Sequence, residues 1–174
     1  SDTLFSRSRD DYSSAWLDMS RNGGQLIATD HRCGRQNLLL LKVTGSAFTR
    51  FVRDGYTTLP ERGDRPLFIA LDVFWRYADL AAMLPGTHGY IAAEQVRDVV
   101  ASVFDQFVSE SIQHLVHEIG TRLLARFPHM AEVSFDAQNR TRDPVAASES
   151  DPRIKVYSDP FSAFGIIKLT MRRA

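Results

Sequence analysis

The feature of this sequence that most narrows its fold is a change of hydrophobic period in mid-chain. Leu67, Ile69, Leu71, Val73, Trp75 and Tyr77 recur at every second position, the mark of a strand with one apolar face. After a stretch over 79–90 broken by Pro85, Gly86 and Gly89, the period lengthens: Val96, Val99, Val100, Val103, Phe104 and Phe107 follow i, i+3, i+4 spacing and predict an amphipathic helix over 92–107. Ser109 stands where it can cap a second helix, which carries Ile112, Val116, Ile119, Leu123 and Phe127 and stops at Pro128. Strand-like segments return over 133–137 and 165–172. Strands, then two consecutive helices, then strands predict an α+β domain with both helices packed on one face of an antiparallel sheet.

The remaining segments fill in that outline. Residues 12–19 read as a first strand, Asn22-Gly23-Gly24 as a turn and 25–29 as a short return strand. Beyond Cys33-Gly34, the run Leu38 to Leu41 leads into Val43 as a separate buried strand. Residues 45–64 hold Gly45, Gly55, Pro60 and Gly63 without a clean period and predict a structured loop, the kind of segment on which function gathers. A polar, mobile loop is expected over 143–152, a short strand over 154–157, and a flexible lead-in over 1–10 ahead of a single domain over 11–174.

Composition excludes several classes. The 21 basic and 21 acidic residues balance, so there is no broad attraction for nucleic acid or an anionic membrane. One cysteine, Cys33, allows neither an internal disulfide nor a cysteine-built zinc site. No stretch reaches membrane-spanning length and none resembles a leader, so a soluble, cytoplasmic protein is expected. His114 and His117, followed by Glu118, lack a third ligand and read as a solvated or core pair, not as a metal site. His31, His88 and His129 have no evident companions.

The loop carries a more specific signal. Lys42-Val43-Thr44-Gly45-Ser46-Ala47-Phe48, then Arg53-Asp54-Gly55-Tyr56-Thr57-Thr58-Leu59, then Asp64-Arg65, resemble in order the central signature of the urate oxidase (uricase) family. Ser111-Ile112-Gln113, Gln138-Asn139 and Phe164-Gly165-Ile166-Ile167-Lys168 extend the resemblance along almost the whole chain. It covers only the second of the two tunnelling-fold (T-fold) domains that members of the family usually carry. The resemblance therefore implies one T-fold domain, assembling with others into a multi-subunit barrel with ligand sites between subunits.

It also implies a cofactor-free, metal-free oxidase that binds urate or a related purine-like heterocycle and promotes its oxidation by dioxygen. By position, Arg65 and Gln113 would clamp opposite edges of the flat anion, Phe48 would stack on its face, the N–H of Ile112 would add a donor, and Asn139 would hold dioxygen or water. A guanidinium suits an anionic ring edge, and a carboxamide both donates and accepts. Tyr56-Thr57-Thr58 would shape the loop, and Asp64 would position Arg65 or cap the strand. Thr141 stands where the family has the His of its proton relay; a hydroxyl does not titrate near neutral pH, so that step would run differently here. The relay's Lys and Thr belong to the other T-fold domain, which implies either a hetero-oligomer with a second T-fold chain or a homo-oligomer. Alternatives are a non-catalytic T-fold partner that completes a barrel, and an oxidase acting on another purine or pterin in biosynthesis.

Overall fold

The computed structural model describes residues 5–7, 10–151, 153–160, 162 and 164–173. Its elements run β1 (Phe5–Arg7), β2 (Tyr12–Asn22), β3 (Gln25–Lys42), β4 (Leu67–Tyr77), α1 (Ala93–Gln106), α2 (Ile112–Arg126), β5 (Met130–Asn139), β6 (Pro144–Ala147), β7 (Lys155–Tyr157) and β8 (Gly165–Arg172). A short 3-10 turn, Leu80–Met83, interrupts the 79–90 loop. The main sheet is antiparallel in the order β1-β3-β4-β5-β8, with β2 and β1 lying successively along the same strand, β3.

The period-two run forms the strand it predicts. All six of its apolar residues are at most 4% exposed, and full burial of such side chains is worth about 1.5–3 kcal/mol each. Leu38 and Leu40 of β3, and Val133, Phe135 and Ala137 of β5, share that buried face. Val96, Val100, Val103 and Phe104 of α1 and Ile112, Leu115, Val116, Ile119 and Leu123 of α2 complete the same core. The sheet and the two successive helices thus form the α+β layer pair expected, and among the described residues no helix is long and apolar enough to cross a membrane.

Several local expectations are corrected. The short return strand and the buried strand are one continuous element, β3, because Cys33-Gly34 does not break it: Gly34 lies opposite Phe74 on β4 and Ser14 on β2. A Cβ at Gly34 would come within 2.8 Å of both the Phe74 ring and the Ser14 hydroxyl, so the glycine serves close strand approach under an aromatic ring. The hairpin before it turns on Gly23 and Gly24, at φ 55 and 88, the left-handed pair that a two-residue connection requires.

In the expected lead-in, Phe5–Arg7 pair with Leu40–Lys42, while residues 1–4, 8 and 9 lie outside the described residues. The expected mobile loop over 143–152 contributes β6, which pairs with β7 and is closed by the Ser148 N–H donating to the Ile154 carbonyl at 2.9 Å; Pro152 lies outside the described residues. Ser109 does not cap α2. The chain at Ser109 is still extended and bridges Ser46, and the cap is Ser111, whose hydroxyl accepts the His114 N–H at 3.1 Å. His31 has a partner after all, since its Nε2 accepts the Tyr77 N–H at 2.9 Å, and the His88 and His129 rings meet edge to face at 5.4 Å.

Candidate ligand-binding site

Lys42, at the end of β3, is 2% exposed, and its ammonium donates to the Phe104, Asp105 and Phe107 carbonyls at 3.2, 2.9 and 3.4 Å. Those carbonyls are left over at the C-terminus of α1, where the helix dipole favours a cation. Burial pushes the Lys42 pKa down, against the opposing pull of Asp105 and Asp64. The contact fixes the start of the 43–66 loop against the end of α1.

From there the loop is organised by backbone pairing. Ser46 to Thr49 runs between two neighbours: on one side Arg65 N–H donates to Ser46 O at 2.8 Å, and Phe48 and Arg62 exchange N–H···O bonds at 2.8 and 2.9 Å. On the other side, Ala47 N–H donates to Ser109 O at 2.8 Å and Thr49 N–H to Glu110 O at 3.3 Å. Arg50 and Glu110 form an ion pair beside them. This short three-stranded patch explains how residues far apart in the chain converge: it carries Phe48 in the middle, Arg65 on one flank and the approach to Gln113 on the other.

Asp64 acts on Arg65 through the turn and not by a direct hydrogen bond among the described residues. Its carboxylate accepts from the Thr44 hydroxyl and the Gly45 N–H, each at 2.8 Å, and so closes the turn into the patch. At the loop tip Asp54 accepts from the Tyr56 N–H and the Thr57 hydroxyl, consistent with a shaping role for that segment.

The Arg65 guanidinium lies 5.0 Å above the Phe48 ring, a cation–π contact, and its Nε is buried without a hydrogen-bond partner. Burial, and then the neighbouring Arg62 charge, lower the Arg65 pKa. Phe48 also stacks on Phe51 at 4.4 Å and 18°. Phe51 was not anticipated; its spacing from Phe48 inside an irregular segment was the available signal. Phe48, Phe51, Val52, Tyr56 and Gln113 line a cleft of about 510 Å³. Gln113 is exposed in the first turn of α2, and the Ile112 side chain is 5% exposed in the core beneath it.

Thr141 lines a second cavity, of about 430 Å³, together with Arg62, Arg65, Arg142, Lys155 and Tyr157. Arg65 lines the Thr141 cavity and is not among the residues lining the Phe48–Gln113 cleft, which it meets only through the Phe48 ring. Asn139 is not among the residues that line either one. It closes β5, opposite Ile69 and Gly165. His114 packs edge-on against Phe107 at 4.8 Å, and no group of three or more His, Cys, Asp or Glu residues that could hold a metal occurs among the described residues.

The antiparallel sheet with its two consecutive helices is a T-fold domain. The chain belongs to the uricase family, whose model, described as Uricase, matches residues 31–168. It is 42% identical over 168 residues to the uric acid degradation bifunctional protein of Bacillus sp. TB-90, covering 95% of this chain and 33% of that one. It is 41% identical to the uricase of Haloferax volcanii, covering 99% of this chain and 56% of that one. A crystal structure of Bacillus sp. TB-90 urate oxidase superposes with a TM-score of 0.89 at 40% identity, over 95% of this chain and 55% of that one. The chain thus spans between a third and somewhat over half of the length of these relatives.

Proposed function

We propose that this chain supplies the substrate-holding part of a urate-oxidase-type site. It binds urate or a related purine-like anion and promotes its oxidation by dioxygen, without a cofactor, at an interface completed by another T-fold domain. Two observations support this reading: Phe48 and Gln113 line one cleft, and the Arg65 guanidinium lies against the Phe48 ring. In the proposed complex Phe48 covers the flat ring, Arg65 balances its charge and holds one edge, and Gln113 donates to and accepts from the other. The Ile112 N–H, at the first residue of α2 where amides lack helical partners, supplies a further donor.

A ring stacking on Phe48 would replace either the Phe51 or the Arg65 contact that the ring now makes, so binding should reorganise this corner. Asn139 would hold dioxygen or water, and Thr141, lining the cavity beside Arg65, would relay a proton only as a hydroxyl within a chain of donors. The titrating groups would then come from a second T-fold chain or a second copy of this one. The exposure of Gln113 on an open cleft favours a ligand site over a subunit that merely completes a barrel.

The test is titration with a non-oxidisable xanthine-type purine, followed by oxygen uptake with urate in the presence and absence of the native partner. Arg65→Ala should weaken purine binding by roughly 2–5 kcal/mol, the usual loss when one member of a buried charge-assisted contact is removed. Unchanged affinity in that variant would overturn the grip.

A further inference from the structure

We propose that the cavity between the β6–β7 hairpin and the Arg62–Arg65 segment is a binding site for a small oxyanion of the phosphate type, held by Arg142 and Lys155 with Arg62 and Arg65 lining the same space. Four cationic side chains line it against two carboxylates, Asp64 and Asp143. Asp64 is already engaged, with one oxygen on the Thr44 hydroxyl and the other on the Gly45 N–H. The cavity therefore keeps an excess of positive charge.

Two buried donors there are unused. Arg142 gives one N–H to the Ser158 carbonyl at 3.1 Å, while its Nε is buried without a partner, as is the Nε of Arg65. Buried polar groups are ordinarily satisfied, and since Arg65 and Arg142 both line the cavity, a turn of either side chain would bring its unused Nε to an acceptor held there. A guanidinium presents parallel N–H groups that match the oxygens of an oxyanion. The Arg65 pKa is depressed first by burial and then by the Arg62 charge, and the second of these is a repulsion that an anion would relieve. The residues suited to a flat ring, Phe48 and Gln113, line the other cleft, so this one selects a compact anion. An adjoining space of about 930 Å³ shares Arg142, Lys155 and Tyr157 and gives the anion a route in.

Because Arg65 lines this cavity and touches the Phe48 ring of the other cleft, an oxyanion here would compete for its charge and alter purine affinity, and reciprocally. This coupling rests on the purine reading above; the oxyanion site itself does not.

The experiment is calorimetric titration of the full chain with inorganic phosphate, at ionic strength held constant with chloride. Saturable binding is expected, weakened about tenfold or more in Arg142→Gln and in Lys155→Gln, each of which removes a charge-assisted donor. The Lys155 side chain is exposed and its β7 pairing is made by the backbone, which Gln keeps, so its variant remains informative if Arg142→Gln fails to fold. Arg122→Gln, which removes an exposed charge on α2 away from the cavity, should leave phosphate affinity unchanged. Absence of saturable binding, or unchanged affinity in both charge variants, would overturn the site. So would an equal loss in Arg122→Gln, which would make the binding a matter of overall charge. If phosphate behaves as expected while the purine fails to bind, only the purine reading falls.

Discussion

Replacing Lys42 with Met tests whether the grip on the ligand is built from the end of α1. The substitution keeps most of the side-chain volume, so little cavity cost arises. It removes a charged donor from three carbonyls at 2.9–3.4 Å. Hydrogen bonds from charged donors contribute about 1.5–3 kcal/mol each, and an orphaned buried carbonyl costs about 1–3 kcal/mol. Against this, Lys42 is 2% exposed and its pKa is pushed down by burial, so relief from holding an ammonium out of water returns several kcal/mol. The contacts are not additive, and a net loss of about 2–4 kcal/mol is expected, within the range of a broken buried network. Urea unfolding would show a lower midpoint at unchanged slope. Purine affinity should fall as well, since the segment leaving α1 pairs directly with Ala47 and Thr49 on either side of Phe48. A midpoint shift worth less than about 0.5 kcal/mol, the range of an ordinary surface substitution, would refute the assignment of Lys42 as the anchor.

Two further outcomes follow from buried polar contacts. His31 Nε2 accepts the Tyr77 N–H, and its pKa is lowered by burial and by Arg76, with Asp30 opposing. The folded chain thus favours neutral His31, so this group's contribution is present above the unfolded value of about 6.5 and is lost as pH falls through the lower folded value. Urea midpoints across that interval should drop less steeply in His31→Gln than in the parent, and equal slopes would contradict the assignment. Tyr77→Phe deletes a hydroxyl that accepts the Ile91 N–H at 3.0 Å and donates to the Ile91 carbonyl at 3.3 Å, both buried. It should cost about 1–3 kcal/mol in thermal or urea unfolding.

The fold was legible where burial is one-sided. Leu67 to Tyr77 announce β4 because every second side chain meets the helices, and the α1 and α2 spacings announce the surfaces that cover them. Legibility failed where a distant partner decides a local conformation. Gly34 reads as a break until Phe74 is seen lying over it, and Ser109 reads as a cap until Ser46 is seen pairing with it. The β6–β7 hairpin has little apolar alternation to declare it. Its closure depends on Ser148, Asp151 and Ile154 bonding within the turn, which composition shows only as polarity.

The family was legible as residue types in order, but the construction of the proposed site was not. Nothing local links Asp64 to Thr44, or Ser109 to Ala47, and these backbone and carboxylate contacts set where Phe48 and Arg65 stand. This has a consequence for how the proposed activity divides. On the proposed reading all three gripping side chains come from one chain, whereas Thr141 would leave the proton path without a group that titrates near neutral pH. Binding should therefore survive in the isolated chain even where turnover does not. Variants at Phe48, Arg65 or Gln113 should act chiefly on ligand affinity, and loss of the partner chiefly on the rate of the chemical step.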